Sequence, residues 1–196
     1  MNKADIRIVL GKSGSGKTVA VRNIVAEADR VIIFDAKGGD YNDGVVFYDL
    51  RELARFWLNH GSGKFRLIYR PLFAYDEFEK VAELAYKCGN LWLVAEELDI
   101  YYPSTKIGFW GAMVLRRGRS RGIHFVGATQ RPKRVNKDVT SQATEAYIFK
   151  TIEPGDIDYR KDWLGQDIET YIKELGEYQY VHCCGAAKTI RKDRIL

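Results

Sequence analysis

Cysteine is scarce in this sequence, and the three present, Cys88, Cys183 and Cys184, do not make a paired framework. No stretch has the CxxC spacing of a zinc site. Adjacent cysteines such as Cys183 and Cys184 rarely bridge each other, because the ring is strained, so they read as two small apolar residues of a strand. The pattern fits a reducing compartment. Long apolar runs are missing as well. No window approaches the ~18 uninterrupted apolar residues of a membrane helix, and the N-terminus has no apolar stretch of signal-peptide type. Any work at a membrane then requires a partner to hold the chain there. Proline occurs only four times, at positions 71, 103, 132 and 154, all at expected element boundaries. Repeats, linkers and low-complexity tracts are absent. What remains is a chain of 196 residues, 46% hydrophobic and 29% charged, the balance of a globular protein. That length fills one compact domain, residues 1–196, and is too short for two ordinary ones.

Acidic residues are missing from one segment in particular. Between Arg116 and Lys137 the chain carries Arg116, Arg117, Arg119, Arg121, Arg131, Lys133, Arg134 and Lys137 without a single carboxylate. The formal charge of +5 is modest, so placement says more than total. A polyanion suits such a run, although a solvated basic surface also produces one.

Apolar runs of strand length alternate with stretches of helical period, which predicts an α/β fold with a mostly parallel sheet flanked by helices. The strand candidates are Ile6 to Leu10, Val31 to Phe34, Phe65 to Tyr69, Leu91 to Val94, Ile123 to Gly127 and Ala146 to Phe149. Most are continuous apolar runs, as buried parallel strands are. Leu50, Leu53, Ala54, Trp57 and Leu58 mark one amphipathic helix. Phe78, Val81, Ala82 and Ala85, closed by Gly89, mark a second, and Ile168, Tyr171, Ile172 and Leu175 a third. Tyr178 to Cys183 and Lys188 to Arg191, separated by a Gly-containing turn, predict a C-terminal β-hairpin. The region from Ile152 onward carries no interpretable motif.

Gly11, Lys12, Ser13, Gly14, Ser15, Gly16, Lys17 and Thr18 satisfy the P-loop pattern in full, after a predicted strand and before a predicted helix. The glycines let successive backbone N–H groups point at phosphate oxygens, and the helix adds the positive end of its dipole. Lys17 is placed to reach the β and γ phosphates of ATP, and Thr18 to ligand Mg2+ through its hydroxyl. Downstream, Leu91 to Val94 leads through Ala95 to Glu96 and Glu97, so both carboxylates emerge at the carboxyl end of a buried strand, where open α/β sheets bind ligands. Glu96 is assigned to the magnesium shell and Glu97 to polarising the attacking water, with the reverse assignment open. P-loop proteins usually place Asp at the metal position, so Glu96 departs from the pattern. Asp99 is a further candidate if the strand runs longer.

The stretch Arg119-Ser120-Arg121-Gly122-Ile123-His124-Phe125-Val126-Gly127-Ala128-Thr129-Gln130-Arg131-Pro132 resembles a signature of the FtsK/HerA superfamily of DNA-pumping P-loop ATPases. Asp35-Ala36-Lys37-Gly38-Gly39 resembles that superfamily's Asp-x-Lys-Gly element. The resemblance covers about residues 5 to 150, and it implies a RecA-like P-loop NTPase fold. By position it implies that Gln130 senses the γ-phosphate. It makes Arg119 the arginine finger inserted into a neighbouring subunit's site, with Arg116, Arg117 and Arg121 as substitutes. It further implies a homo-oligomeric ring, a hexamer by expectation, around double-stranded DNA, with Lys133, Arg134 and Lys137 contacting phosphates in the channel. Lys106 and the Gly38 to Asn42 loop are weaker channel candidates, and Trp110 reads as packing. No membrane-spanning region, regulatory domain or separate DNA-reading domain fits in 196 residues. The chain therefore looks like the compact genome-packaging ATPases of membrane-containing viruses and phages. That likeness implies the host cytoplasm, association with the virion, and a membrane-associated portal or capsid protein as partner.

Two readings of the same superfamily stand beside this one, a plasmid-transfer ATPase and a filamentous-phage export ATPase. A small-molecule or nucleotide kinase also joins a P-loop to a chain of this size, but it requires an arginine-rich lid and an acceptor site, and no such lid is evident. A nucleotide-gated adaptor without productive turnover is the non-enzymatic reading, and Glu97 argues against it.

Overall fold

The computed structural model describes residues 5–61, 63–151, 153–184 and 189–194, the last stretch in its backbone only. Among these residues nine strands form one sheet: β1 (Ile6–Leu10), β2 (Arg30–Phe34), β3 (Val45–Phe47), β4 (Phe65–Tyr69), β5 (Leu91–Ala95), β6 (Ile123–Thr129), β7 (Glu145–Phe149), β8 (Gln179–Cys184) and β9 (Thr189–Arg194). Their order is β3-β4-β2-β5-β6-β1-β7-β8-β9. Every pairing from β3 across to β7 is parallel, while β8 runs antiparallel to both β7 and β9. The six strands expected from the apolar runs are all present, and so is the C-terminal hairpin; its Gly-containing turn and Lys188 lie outside the described residues. The short edge strand β3 gives no apolar run long enough to be read.

The helices are α1 (Lys17–Ile24), α2 (Leu50–His60), α3 (Ala74–Cys88), α4 (Leu98–Tyr101), α5 (Phe109–Arg117), α6 (Lys137–Gln142), α7 (Pro154–Leu164) and α8 (Ile168–Glu174). They divide unevenly between the faces. Because side chains alternate along each strand, Ile8 and Leu10 point to one layer and Val9 to the other. On the Ile8 face, α2 to α6 pack through residues such as Trp57, Phe78, Tyr101, Leu115 and Val139. On the Val9 face, α1 packs through Ala20 and Val21 against Val31, Ile33, Val94 and Val126. α7 and α8 pack on Ala146 and Ile148 through Leu164, Ile168 and Ile172. Ile8 and Ala146 are register neighbours, so these two helices share the crowded face.

The stripe assigned to α2 needs one correction. Leu53 and Trp57 are buried, but Leu58 is 85% exposed. One residue past Trp57 is a rotation of about 100°, which carries Leu58 off the stripe, and it forgoes the ~1.5–3 kcal/mol that burial of a leucine contributes.

All parallel strands end on one edge. β1 delivers the glycine-rich loop there, β5 the two glutamates and β6 Gln130. Because β6 lies between β1 and β5, Gln130 emerges between the loop and the acids.

Candidate functional site

The loop after β1 is held by three amide bonds. Gly11 donates to the Thr129 carbonyl (3.3 Å), Lys12 to the Lys150 carbonyl (3.4 Å) and Ser15 to the Lys12 carbonyl (3.4 Å). Gly11 has no room for a side chain, since a Cβ there would lie 2.5 Å from Cβ of Phe149 and 2.7 Å from Oγ of Ser15. Gly14 and Gly16 adopt φ of 71° and 102°, a region that L side chains rarely tolerate. Gly16 is the N-cap of α1, and no side chain accepts from the first-turn amides, which leaves them directed at whatever anion enters.

Lys17 is buried, and its Nζ donates to the Lys12 carbonyl at 2.8 Å, so the ammonium arches over the loop. Burial first, and then the charge of Lys37, hold its pKa below the ordinary lysine value. Oγ of Ser15 is buried without a hydrogen-bond partner among the described residues. A phosphate held in this loop would give Lys17 an opposite charge and Ser15 a hydrogen-bond partner.

The acids follow β5 as expected. Glu96 is 2% exposed, and Oη of Tyr41 donates to its Oε1. Burial pushes its pKa up, only partly offset by the Tyr41 hydrogen bond and by the Lys17 charge. Glu97 takes φ of 56° at the start of α4, a left-handed conformation that costs a non-glycine residue about 1–2 kcal/mol. Its carboxylate pairs with Nζ of Lys37 and accepts from Nε2 of Gln130 at 3.1 Å. Burial would lower the Lys37 pKa, but the hydrogen bond to Glu97 and its charge outweigh that and raise it.

The Asp-x-Lys-Gly element proves to be the buttress of this corner. Asp35 is fully buried, and its two oxygens accept the Gly38 amide (3.2 Å), the Gly39 amide (3.0 Å) and Nε of Arg70 (3.2 Å). Arg70 in turn donates from Nη2 to the Tyr41 carbonyl (2.7 Å) and to Oδ1 of Asn42 (3.0 Å). The Gly38 to Asn42 loop, considered above as a channel contact, is thus folded back to present Tyr41 to Glu96. Sequence reading missed both Tyr41 and Arg70. Tyr41 and Glu96 are 55 positions apart, and no local pattern announces such a pair.

Asp99 does not belong to the site. β5 stops at Ala95, and Asp99 sits in α4, where it accepts from Oγ1 of Thr129 at 2.7 Å and clasps α4 to β6.

The basic segment divides in two. Arg119 lies in the 3-10 turn Gly118–Arg121 before β6, and Gln130 follows that strand. Seven strand residues at about 3.3 Å each put roughly 20 Å between them. Arg119 is therefore at the sheet edge opposite Lys17 of its own chain. Arg116 is paired with Asp138, and Arg121 donates to the carbonyls of Tyr86 (3.1 Å) and Lys87 (2.6 Å). Arg117 and Arg119 are exposed, with no partner for either guanidinium among the described residues. Lys133, Arg134 and Lys137 are exposed beyond Gln130, the first two on the loop that leads into α6 and Lys137 at the first position of that helix. That loop is braced by the exit of α4: the Ser104 amide donates to the Arg134 carbonyl and the Asn136 amide to the Tyr102 carbonyl, each at 2.7 Å. Trp110 packs against Phe109 and Tyr86, and Lys106 lies over the Tyr75 ring.

Among the described residues no group of three His, Cys, Asp or Glu side chains can hold a metal by itself. The hard oxygens of Thr18 and Glu96 suit magnesium arriving with a nucleotide, since that ion takes most of its ligands from phosphate and water. Among the same residues no helix is long and apolar enough to cross a membrane.

No family model matches this sequence. The chain is 32% identical over 90 residues to the probable DNA double-strand break repair helicase HerA of Methanocaldococcus jannaschii, a match covering 43% of this chain and 18% of that protein. It is 36% identical over 62 residues to HerA of Sulfurisphaera tokodaii, covering 30% and 12%. The chain thus spans less than a fifth of the length of the curated relatives it matches. Among solved structures, the genome packaging NTPase B204 of Sulfolobus turreted icosahedral virus 2, in complex with ATP-gammaS, superimposes with a TM-score of 0.82 at 22% identity over all of both chains. The pCW3 conjugation coupling protein TcpA superimposes with a TM-score of 0.64 at 15% identity, over 98% of this chain and 60% of that one. The fold is that of a RecA-like P-loop NTPase, and over part of its length the chain resembles HerA in sequence.

Proposed function

We propose that this protein is an ATP-hydrolysing translocase that packages viral double-stranded DNA, residues 1–196 acting as one motor domain of a hexameric ring. The observation that carries the reading is the convergence, at one sheet edge, of an uncapped phosphate loop, Lys17, two carboxylates and Gln130, while the unpaired Arg119 stands at the opposite edge.

ATP is the substrate, its phosphates wrapped by Gly11 to Thr18 with Lys17 on the β and γ groups. Magnesium bound with it neutralises charge on the phosphate oxygens, and Thr18 and Glu96 are the oxygens this chain offers it. Glu97 orients and polarises the attacking water, held in place by Lys37 and Gln130. Arg119 completes the site of the next subunit, because the sheet keeps it out of reach of its own. A guanidinium there stabilises charge on the transferring phosphoryl oxygens, which ties turnover to subunit contact.

The same hydrogen bonds offer a route to movement. Gln130 and Glu97 respond to the γ-phosphate, α4 starts at Glu97, and the exit of α4 is bonded to the loop that bears Lys133 and Arg134 and leads into Lys137. A shift at Glu97 is passed to that loop through one short rigid helix. Contacts from these three residues to DNA phosphates are independent of sequence and weaken with salt. The host cytoplasm and the virion are where such a motor works, recruited by a membrane-associated portal or capsid protein.

Steady-state ATP turnover with and without duplex DNA, at low and moderate salt, tests the reading. Turnover is expected to rise with DNA, less so at higher salt, and to vanish in Lys17→Ala. Turnover that ignores DNA and requires a small phosphoryl acceptor would instead make the protein a kinase.

A further inference from the structure

A cavity of about 290 Å³ opens beside the phosphate loop, on the side away from the acids. One wall is Lys12 to Ser15, another is Lys150, and the third is the turn Gly176 to Gln179 between α8 and β8. The volume is at the small end of ligand sites, which run from roughly 300 Å³ upward. That is room for a base and part of a sugar.

The turn that closes this cavity is built, not loose. The Gly176 amide donates to Oε1 of Gln179 at 2.8 Å, and the Gln179 amide donates back to the Gly176 carbonyl at 3.4 Å. Between them Tyr178 takes φ of 58°, at a turn position that normally selects glycine or asparagine. An aromatic residue is a poor choice there on backbone grounds alone. The residue is 44% exposed, and among the described residues no hydrogen bond, ion pair or ring contact engages its side chain. A strained backbone thus presents an unused aromatic ring at the rim of the phosphate loop.

Direction decides what the ring meets. With the γ-phosphate directed at Glu97 and Gln130, on the β5 and β6 side of the loop, the rest of the nucleotide leaves toward β7 and β8, where this cavity lies. We infer that the turn Gly176 to Gln179 is the nucleobase subsite, with the Tyr178 ring as the stacking surface and Glu177 as the polar group at its rim. This inference rests on the phosphate loop binding ATP as proposed above.

Equilibrium binding of two probes, ATPγS and inorganic tripolyphosphate, separates the inference from its premise. Tyr178→Ala is expected to weaken ATPγS on the order of tenfold, the scale of one lost base-aromatic stack, and to leave tripolyphosphate unchanged, while Tyr178→Trp keeps the affinity of the wild type. Tyr178→Gly relieves the backbone yet removes the ring, so it is expected to match Tyr178→Ala in binding without losing thermal stability. Wild-type affinity for ATPγS in both the Ala and Gly variants would overturn the subsite alone. A wild type that binds neither probe would overturn the phosphate site and the subsite with it.

Discussion

Glu96 places a carboxyl where burial resists its charge. At 2% exposure the carboxylate has one hydrogen-bond donor, Tyr41, and burial raises its pKa. A carboxyl whose folded pKa is raised destabilises the fold at pH values above that raised value. The penalty shrinks as the pH falls from there toward the unfolded value. Glu96→Gln keeps the shape and the contact with Tyr41 but removes the charge. Without nucleotide it is expected to raise stability at neutral pH by about 1 kcal/mol, within the range of single stabilising substitutions, with the gain fading on acidification, while ATP turnover is lost. Chemical denaturation of both proteins across pH checks this. A stability gain that stays constant with pH would separate the effect from ionisation.

At the scale of elements, one carboxylate ties the antiparallel hairpin to the parallel sheet in addition to the backbone ladder between β7 and β8. Glu145 of β7 lies 3.2 Å from Nη2 of Arg7 in β1 and 2.9 Å from Nε2 of His182 in β8. The His182 hydrogen bond comes first among the causes that hold its pKa below the usual glutamate value, with Arg7 adding to it. A depressed carboxylate contributes stability that is present above the unfolded value and lost as the pH falls through the folded one. Glu145→Gln is therefore expected to cost up to about 1 kcal/mol near pH 6, and the cost to shrink steadily as the pH falls below the unfolded glutamate value, read from urea midpoints.

The elements also show where sequence reading works and where it stops. The phosphate loop was legible because its chemistry is contiguous, and the six strands because burial on both faces makes an unbroken apolar run. Helix α7 was not legible. Two of its three buried residues are charged, Asp156 and Arg160, so it has no apolar stripe; burial pushes the Arg160 pKa down to about 10. Helix α5 was hidden for another reason. The Trp110 and Gly111 amides at its start are capped by Glu79 of α3, at 2.9 and 2.8 Å, and a cap from 31 residues away leaves no local mark. The Asp35, Arg70 and Tyr41 buttress belongs to the same class.

For the whole molecule, the parallel sheet separates two functions by its own width. Loop, acids and Gln130 occupy the carboxyl edge, and Arg119 the amino edge, so the two halves of the proposed site cannot meet within one chain. Arg116 and Arg121 are committed to contacts within the chain, which leaves Arg119 and its neighbour Arg117 to reach outward. Subunit mixing tests this most directly. Arg119→Ala supplies an intact Glu97 without the finger, and Glu97→Gln supplies the finger without the base. Each variant alone is expected to lose DNA-stimulated ATP turnover, and a mixture of the two to recover part of it through sites that pair one subunit's Glu97 with the other's Arg119. Full turnover by Arg119→Ala alone, or a mixture no more active than its components, would contradict a motor whose active site is shared between subunits.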